Sequence, residues 1–100
     1  MNDIPLEWSD VKVFLAIART GTLMAAARQI GLSQPTMGRR LKALEASLSL
    51  TLFQRTSDGF VLTAEGESVL GHAERMEEEA LAFQRELEGR EQRLEGSLRV

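Results

Sequence analysis

The chain has 100 residues, 43% of them hydrophobic and 27% charged, which suits one small domain with an appended helix and excludes a large multidomain enzyme. Twelve Lys plus Arg stand against 15 Asp plus Glu, a formal net charge of -3 that, taken whole, argues against a polyanionic partner. With no cysteine, disulfides and thiolate metal sites are excluded, and no run approaches the ~20 apolar residues that span a bilayer. Met1 to Pro5 lacks a basic stretch leading into an apolar run, so a soluble, cytoplasmic chain is expected.

The charge is divided unevenly. Residues 1–64 hold seven basic and five acidic side chains, net +2, whereas residues 65–100 hold five Arg against ten Glu, net -5. Between Arg28 and Arg55 five basic residues meet a single acid, Glu45, so a local basic surface is expected inside an acidic chain.

From Asp10, the positions Val11, Phe14, Leu15, Ile17 and Ala18 follow helical spacing, with Ser9 placed to cap the first turn and Gly21 to end the helix in a left-handed conformation. Thr22 can cap a second, short helix from Leu23 to Ile30, which Gly31 stops. Ser33 is a third cap, Pro35 sits in a first turn where its missing N–H costs nothing, and Met37, Leu41, Leu44 and Leu48 form the apolar stripe of a third helix. The period then changes: Leu50, Leu52, Phe60 and Leu62 alternate with polar positions around the turn signal Ser57-Asp58-Gly59, which predicts a small hairpin. Thr63 can cap the helix that follows, with Glu65 and Glu67 near its positive end.

That last helix carries a repeat. Val69, Ala73, Met76, Ala80, Phe83, Leu87 and Leu94 are spaced 4, 3, 4, 3, 4 and 7, the seam of a heptad pattern. From Ala64 to Leu94 the rod would be on the order of 45 Å long. A 60-residue domain is too small to bury such a seam, which predicts a partner helix, most simply that of a second copy; the plainer alternative is a single helix packed on its own domain. The organisation expected is residues 1–63 as one domain, 64–94 as a dimerisation helix, and 95–100 as the lead into something further.

Two short helices joined by a tight turn are common, so the details matter. Where the helices cross, Ala27 supplies a small residue; Gly31, four residues later, supplies positive φ; Met37, six further on, supplies an apolar plug. This spacing fits a helix-turn-helix as well as a generic helical hairpin. The face of the third helix opposite Met37, Leu41 and Leu44 carries Pro35, Arg39, Lys42 and Ala43, with Arg40 on one flank and no acid before Glu45. Ser33, Gln34 and Thr36 in the first turn suit a phosphate or a base edge. Arg39 can pair with guanine through two N–H groups, Gln34 can pair with adenine, and Thr36 can touch a thymine methyl, while Arg40, Lys42 and Arg55 are better matched to phosphates. A solvated basic face is the plainer reading of the same residues.

Val13-Phe14-Leu15, Gly21-Thr22-Leu23, Ala25-Ala26-Ala27, Leu32-Ser33-Gln34-Pro35-Thr36, Arg39, Leu41-Lys42, Leu44-Glu45, Leu52-Phe53-Gln54-Arg55-Thr56 and Leu62-Thr63-Ala64-Glu65-Gly66 together resemble a LysR-type transcriptional regulator. The resemblance implies a mainly α fold: a winged helix-turn-helix of three helices and a β-hairpin wing, then a long linker helix that pairs two subunits. It implies Gln34, Pro35 and Arg39 in the major groove of double-stranded DNA, and the hairpin after Arg55 on the minor groove or backbone. It also implies that the intact protein binds as two dimers and that a small-molecule effector binds only a C-terminal domain, to which Gly96 to Val100 would lead. Three residues depart from the family pattern: Gly38 in the recognition helix where serine is frequent, Ser49 for the usual glycine after it, and Asp58 at the wing tip where a basic residue often stands.

The rival of another class is a coiled-coil protein-interaction module without DNA binding. No catalytic or metal site and no cofactor is expected: His72 has no second histidine or cysteine to work with and is read as a surface residue.

Overall fold

The computed structural model describes residues 6–98, with side chains described as far as residue 90. Three helices, α1 (Trp8–Thr20), α2 (Leu23–Ile30) and α3 (Gln34–Leu48), are followed by the strands β1 (Phe53–Thr56) and β2 (Gly59–Leu62) and by a long α4 (Ala64–Leu98). The fold is mainly helical with one antiparallel hairpin, in which Phe53 pairs with Leu62 and Thr56 with Gly59.

Most helix starts follow from the capping residues. Thr22 Oγ1 accepts the Ala25 amide at 3.1 Å, Ser33 Oγ the Thr36 amide at 3.2 Å and Thr63 Oγ1 the Gly66 amide at 3.1 Å. The first helix differs from expectation. It begins at Trp8, with Ser9 inside its first turn, because the Asp10 carboxylate reaches back to accept the Glu7 amide at 3.2 Å. Gly21 and Gly31 end α1 and α2 in left-handed conformations, as their positions in the pattern require.

Val11, Phe14, Leu15 and Ile17 of α1 meet Ala26 and Ala27 of α2 and Met37, Leu41 and Leu44 of α3 in a single core. Ala26 and Ala27 let α2 lie close to its neighbours, so a helix of 8 residues is held by packing rather than by its own propensity. Phe14 extends this core to the hairpin: its ring lies 5.4 Å from that of Phe53, which in turn meets Phe60 edge-on at 6.3 Å.

The hairpin starts later than the alternation suggests. Leu50 and Leu52 precede β1, because the Glu45 carboxylate accepts the amides of Leu52 at 2.7 Å and Phe53 at 3.2 Å and draws this stretch onto α3. At its other end the hairpin is docked on the turn between α1 and α2. The Phe60 amide donates to the Gly21 carbonyl at 2.8 Å, and Gly59, at φ +137°, lies so close that a Cβ there would stand 2.2 Å from the same oxygen. Glycine is required at that position by both conformation and space.

The fourth helix divides into two parts. Its root is part of the domain: Gly66 is buried, a Cβ there would stand 2.3 Å from the Leu52 carbonyl oxygen, and Ala73 joins the core with Val69 and Leu70 packed against it. Of the expected seam positions, Ala73 is buried in its own domain and Val69 is half-buried against the same core, where α4 leaves the wing alongside α1. Farther on, Met76, Phe83 and Leu87 are exposed, Phe83 at 68%, with Trp8 beside them. The helix continues to Leu98, past the end expected at Leu94 and through Gly96 to Leu98; the side chain of Leu94 lies outside the described residues.

One ion pair clamps the point where α4 departs. Arg19 donates to both carboxylate oxygens of Glu77, at 2.9 and 2.7 Å. The hydrogen-bonded pair raises the Arg19 pKa and lowers that of Glu77. A carboxyl whose pKa is depressed on folding adds stability above its unfolded pKa and loses it as pH falls through the folded one. Because both side chains are a third or more exposed, a double-mutant cycle of Arg19→Ala and Glu77→Ala in urea titrations should give a coupling of only about 0.5 kcal/mol at about pH 7, lost as pH falls through the lowered folded pKa of Glu77.

Candidate nucleic-acid interface

The rotation of α3 is set by its buried stripe. Met37 is 0% exposed and packs with Leu41 and Leu44 in the core, while Ala27 of α2, 3% exposed, leaves room for the crossing. Gly31 makes the turn at φ +90°, with its amide and that of Leu32 both donating to the Ala27 carbonyl, at 2.8 and 2.9 Å. The three positions singled out by spacing therefore form one small-residue crossing, one left-handed turn and one core plug. With Met37 inward, Gln34, Pro35, Arg39, Lys42 and Ala43 are exposed.

The first turns of α3 carry a connected set of polar groups. The Ser33 hydroxyl donates to Thr36 Oγ1 at 2.8 Å, and the Arg39 guanidinium donates to the same oxygen through Nη2 at 3.1 Å. Ser33, Thr36 and Arg39 are thus brought together, with Thr36 half-buried beneath the other two. Gln34 and Pro35 stand free beside them.

The other basic candidates are placed differently. Lys42 is exposed on α3, one turn beyond Arg39. Arg40 is half-buried, and its Nη2 lies 4.0 Å from Asp10 Oδ1 of α1, so its charge is partly directed inward. Arg55 lies on the hairpin with its guanidinium 5.6 Å from the centre of the Phe60 ring, the residue opposite it in the strand register. Asp58 is exposed at the hairpin tip, where its amide donates to Thr56 Oγ1 at 3.3 Å.

Two acids near this surface have internal roles that spacing did not reveal. Glu45 binds the amides that lead into β1, and Asp10 combines a helix cap with the approach to Arg40. Both act through residues distant in sequence, so no local pattern announces them. Their effect is to leave the outer face of α3 without a competing negative charge.

Residues 8–67 match the family model described as "Bacterial regulatory helix-turn-helix protein, lysR family". The chain belongs to the LysR family. It is 41% identical over 71 residues to the HTH-type transcriptional regulator ClcR of Pseudomonas putida, an overlap of 71% of this chain and 24% of that protein. It is 32% identical over 100 residues to DmlR of Escherichia coli strain K12, spanning all of this chain and 32% of that one. The chain thus spans about a quarter to a third of these regulators.

Among solved structures, the fold is similar to that in the crystal structure of the DNA-binding domain of CbnR in complex with DNA. The TM-score is 0.75 and the identity 36%, over 84% of this chain and 97% of that one. A cysteine mutant of Corynebacterium glutamicum OxyR matches with a TM-score of 0.82 and 26% identity, over 88% of this chain and 28% of that one. The helix-turn-helix of this LysR-family chain is that formed by α2 and α3, with the β1–β2 hairpin as its wing.

Two departures from the family pattern are explained by the geometry. Ser49 makes the bend after α3 itself, adopting the left-handed conformation at φ +55° in place of glycine. Gly38 faces α2 rather than the open side of α3: a Cβ there would meet Leu23 Cδ1 at an ordinary 3.5 Å. An alanine has room at that position and removes the helix-propensity cost of glycine, so Gly38→Ala should raise unfolding stability by about 0.5–1 kcal/mol, read as a higher denaturation midpoint.

Proposed function

We propose that this chain is a sequence-specific reader of double-stranded DNA that lays α3 in the major groove and works as a homodimer. The observation that carries the reading is the split of α3 into a fully inward stripe, Met37, Leu41 and Leu44, and an outer face of Gln34, Pro35, Arg39 and Lys42 free of acids. Similarity to the CbnR domain, solved with DNA, supports it. On this reading Arg39 and Gln34 meet base edges, Pro35 packs against the groove floor, and Lys42 and Arg55 meet phosphates, while Ser33, a phosphate candidate by sequence, has its hydroxyl hydrogen committed to Thr36 Oγ1. Arg40, drawn toward Asp10, contributes less than Lys42.

The pairing surface is the distal part of α4. Met76, Ala80, Phe83 and Leu87 lie along one side of the helix with Trp8 of α1, and Phe83 and Leu87 are half exposed or more. Burying a side chain of this size against a second copy contributes on the order of 1.5–3 kcal/mol. Two copies joined there would present two recognition helices to an inverted repeat, with half-sites ~34 Å apart. Linking the two contacts turns two weak binding events into one strong one. In the intact regulator, acting in the cytoplasm, a small molecule would bind a domain beyond this one, and two dimers would assemble on the operator.

Binding to the duplex that the chain selects from a pool with a randomised core tests the reading. Affinity should fall steeply with salt; a flat response would favour a protein-only adaptor. Arg39→Ala should weaken the selected duplex by ~1–3 kcal/mol and relax preference at one base pair, whereas Lys42→Ala should weaken all sequences alike and reduce the salt slope by about 1. Equal loss on selected and random duplexes for Arg39→Ala would remove its base-reading role.

Phe83→Glu should leave the helical domain folded by circular dichroism and yield monomers in sedimentation velocity, because the charge would have to be buried in the seam. A dimer that persists would place the pairing surface elsewhere.

A further inference from the structure

We infer that Thr36 is a positioning residue that holds the Arg39 guanidinium ready for a base, and is not itself a reader. The inference rests on the major-groove role of α3 proposed above and names the residue that determines its specificity.

Three hydrogen bonds form a chain from the backbone to the guanidinium. The Thr36 amide donates to Ser33 Oγ at 3.2 Å, the Ser33 hydroxyl to Thr36 Oγ1 at 2.8 Å, and Arg39 Nη2 to Thr36 Oγ1 at 3.1 Å. Ser33 is held as the N-cap of α3, and threonine is restricted about χ1, so the oxygen that Arg39 finds is a fixed point rather than another mobile group. Residues 36 and 39 are three apart on the helix and so meet on one side.

Donor and acceptor counting assigns the roles. A hydroxyl oxygen has two lone pairs, and those of Thr36 Oγ1 are both occupied, by Ser33 and by Arg39. Thr36 therefore has no acceptor left for a base amino group and keeps only its own hydroxyl hydrogen, a single donor that the variants below test directly. Arg39 has five N–H groups and commits one to Thr36, which leaves Nη1 and the second Nη2 hydrogen for the O6 and N7 acceptors of guanine. An arginine on an exposed helix otherwise samples many rotamers, and ordering it on binding lowers affinity. Holding one N–H in advance removes part of that cost and restricts the directions in which the fork can point.

Two substitutions separate this role from a direct one. Thr36→Val keeps the branched shape and the methyl and replaces the hydroxyl with a second methyl; Thr36→Ser keeps the hydroxyl and loses the methyl. Both leave the Thr36 amide to Ser33 Oγ, so the start of α3 stays capped. Affinity is measured by fluorescence anisotropy for the duplex selected by the wild-type chain and for duplexes altered at the base pair where Arg39→Ala loses its preference. Thr36→Val should bind the selected duplex roughly three- to tenfold more weakly and lose most of its preference at that base pair, with Thr36→Ser within about twofold of wild type. In the Arg39→Ala background, Thr36→Val should have no further effect.

Other outcomes overturn the inference in recognisable ways. A weak Thr36→Ser beside an unchanged Thr36→Val would mean that the methyl touches DNA directly. The same loss from Thr36→Val with and without Arg39 would mean that the hydroxyl does. Normal selection by the wild type with no effect of either variant would overturn this role alone, whereas a wild-type chain that selects no duplex would overturn both this role and the function it serves.

Discussion

The insertion of Met37 between α1 and α2 is the constraint on which the surface of this protein depends. A helix of 15 residues has no intrinsic preference for which side it turns to water. The apolar stripe through Met37, Leu41 and Leu44 supplies that preference, and the small side chains of Ala26 and Ala27 allow α2 to lie close enough for Met37 to be wholly buried. Once the stripe is inward, the positions of Gln34, Pro35, Arg39 and Lys42 follow from the 3.6-residue period. The reading face is the geometric complement of the core.

Charge is arranged by the same tertiary contacts. Glu45, the one acid among the basic residues from Arg28 to Arg55, is turned under the chain to bind the amides of Leu52 and Phe53. Asp10 caps α1 and draws Arg40 toward it, and Glu77 holds Arg19 in a bidentate pair. These contacts are modest in energy, as partly exposed pairs are. The spatial consequence of the Glu45 contact is larger: it turns the one acid of this stretch under the chain and away from Gln34, Pro35, Arg39 and Lys42. The overall charge of -3 is an average over an acidic rod and a basic face that do not share a surface.

The wing and the long helix illustrate how far a domain of this size extends its order. Phe14, Phe53 and Phe60 carry the core into the hairpin, and the Phe60 amide fastens it to the Gly21 carbonyl. From there α4 runs back along α1 until Arg19 and Glu77, and beyond that point Trp8 is beside it while Leu81, Phe83 and Leu87 are exposed. An apolar stripe that is half covered and half open marks where an intrachain contact ends and where an intersubunit one is proposed to begin.

Much of the fold was legible in the residues alone. Thr22, Ser33, Gly21 and Gly31 mark helix ends by local chemistry, the stripes of α1 and α3 by period, and the turn residues Ser57 to Gly59 mark the hairpin, because each signal is complete within a few neighbours. The spacing of Ala27, Gly31 and Met37 left a helix-turn-helix level with a generic helical hairpin, and the resemblance carried by Leu32 to Thr36, Leu41 to Glu45 and Leu52 to Thr56 identified it. What the residues could not disclose were the contacts between distant positions. Asp10 rather than Ser9 organises the first turn; Glu45 delays the first strand; Arg40 turns toward Asp10; Ala73 is buried, and Val69 half-buried, against their own domain. A heptad pattern records only that a side of a helix is apolar, and whether its own domain or a second helix covers that side depends on where the helix leaves the fold, which is decided by packing.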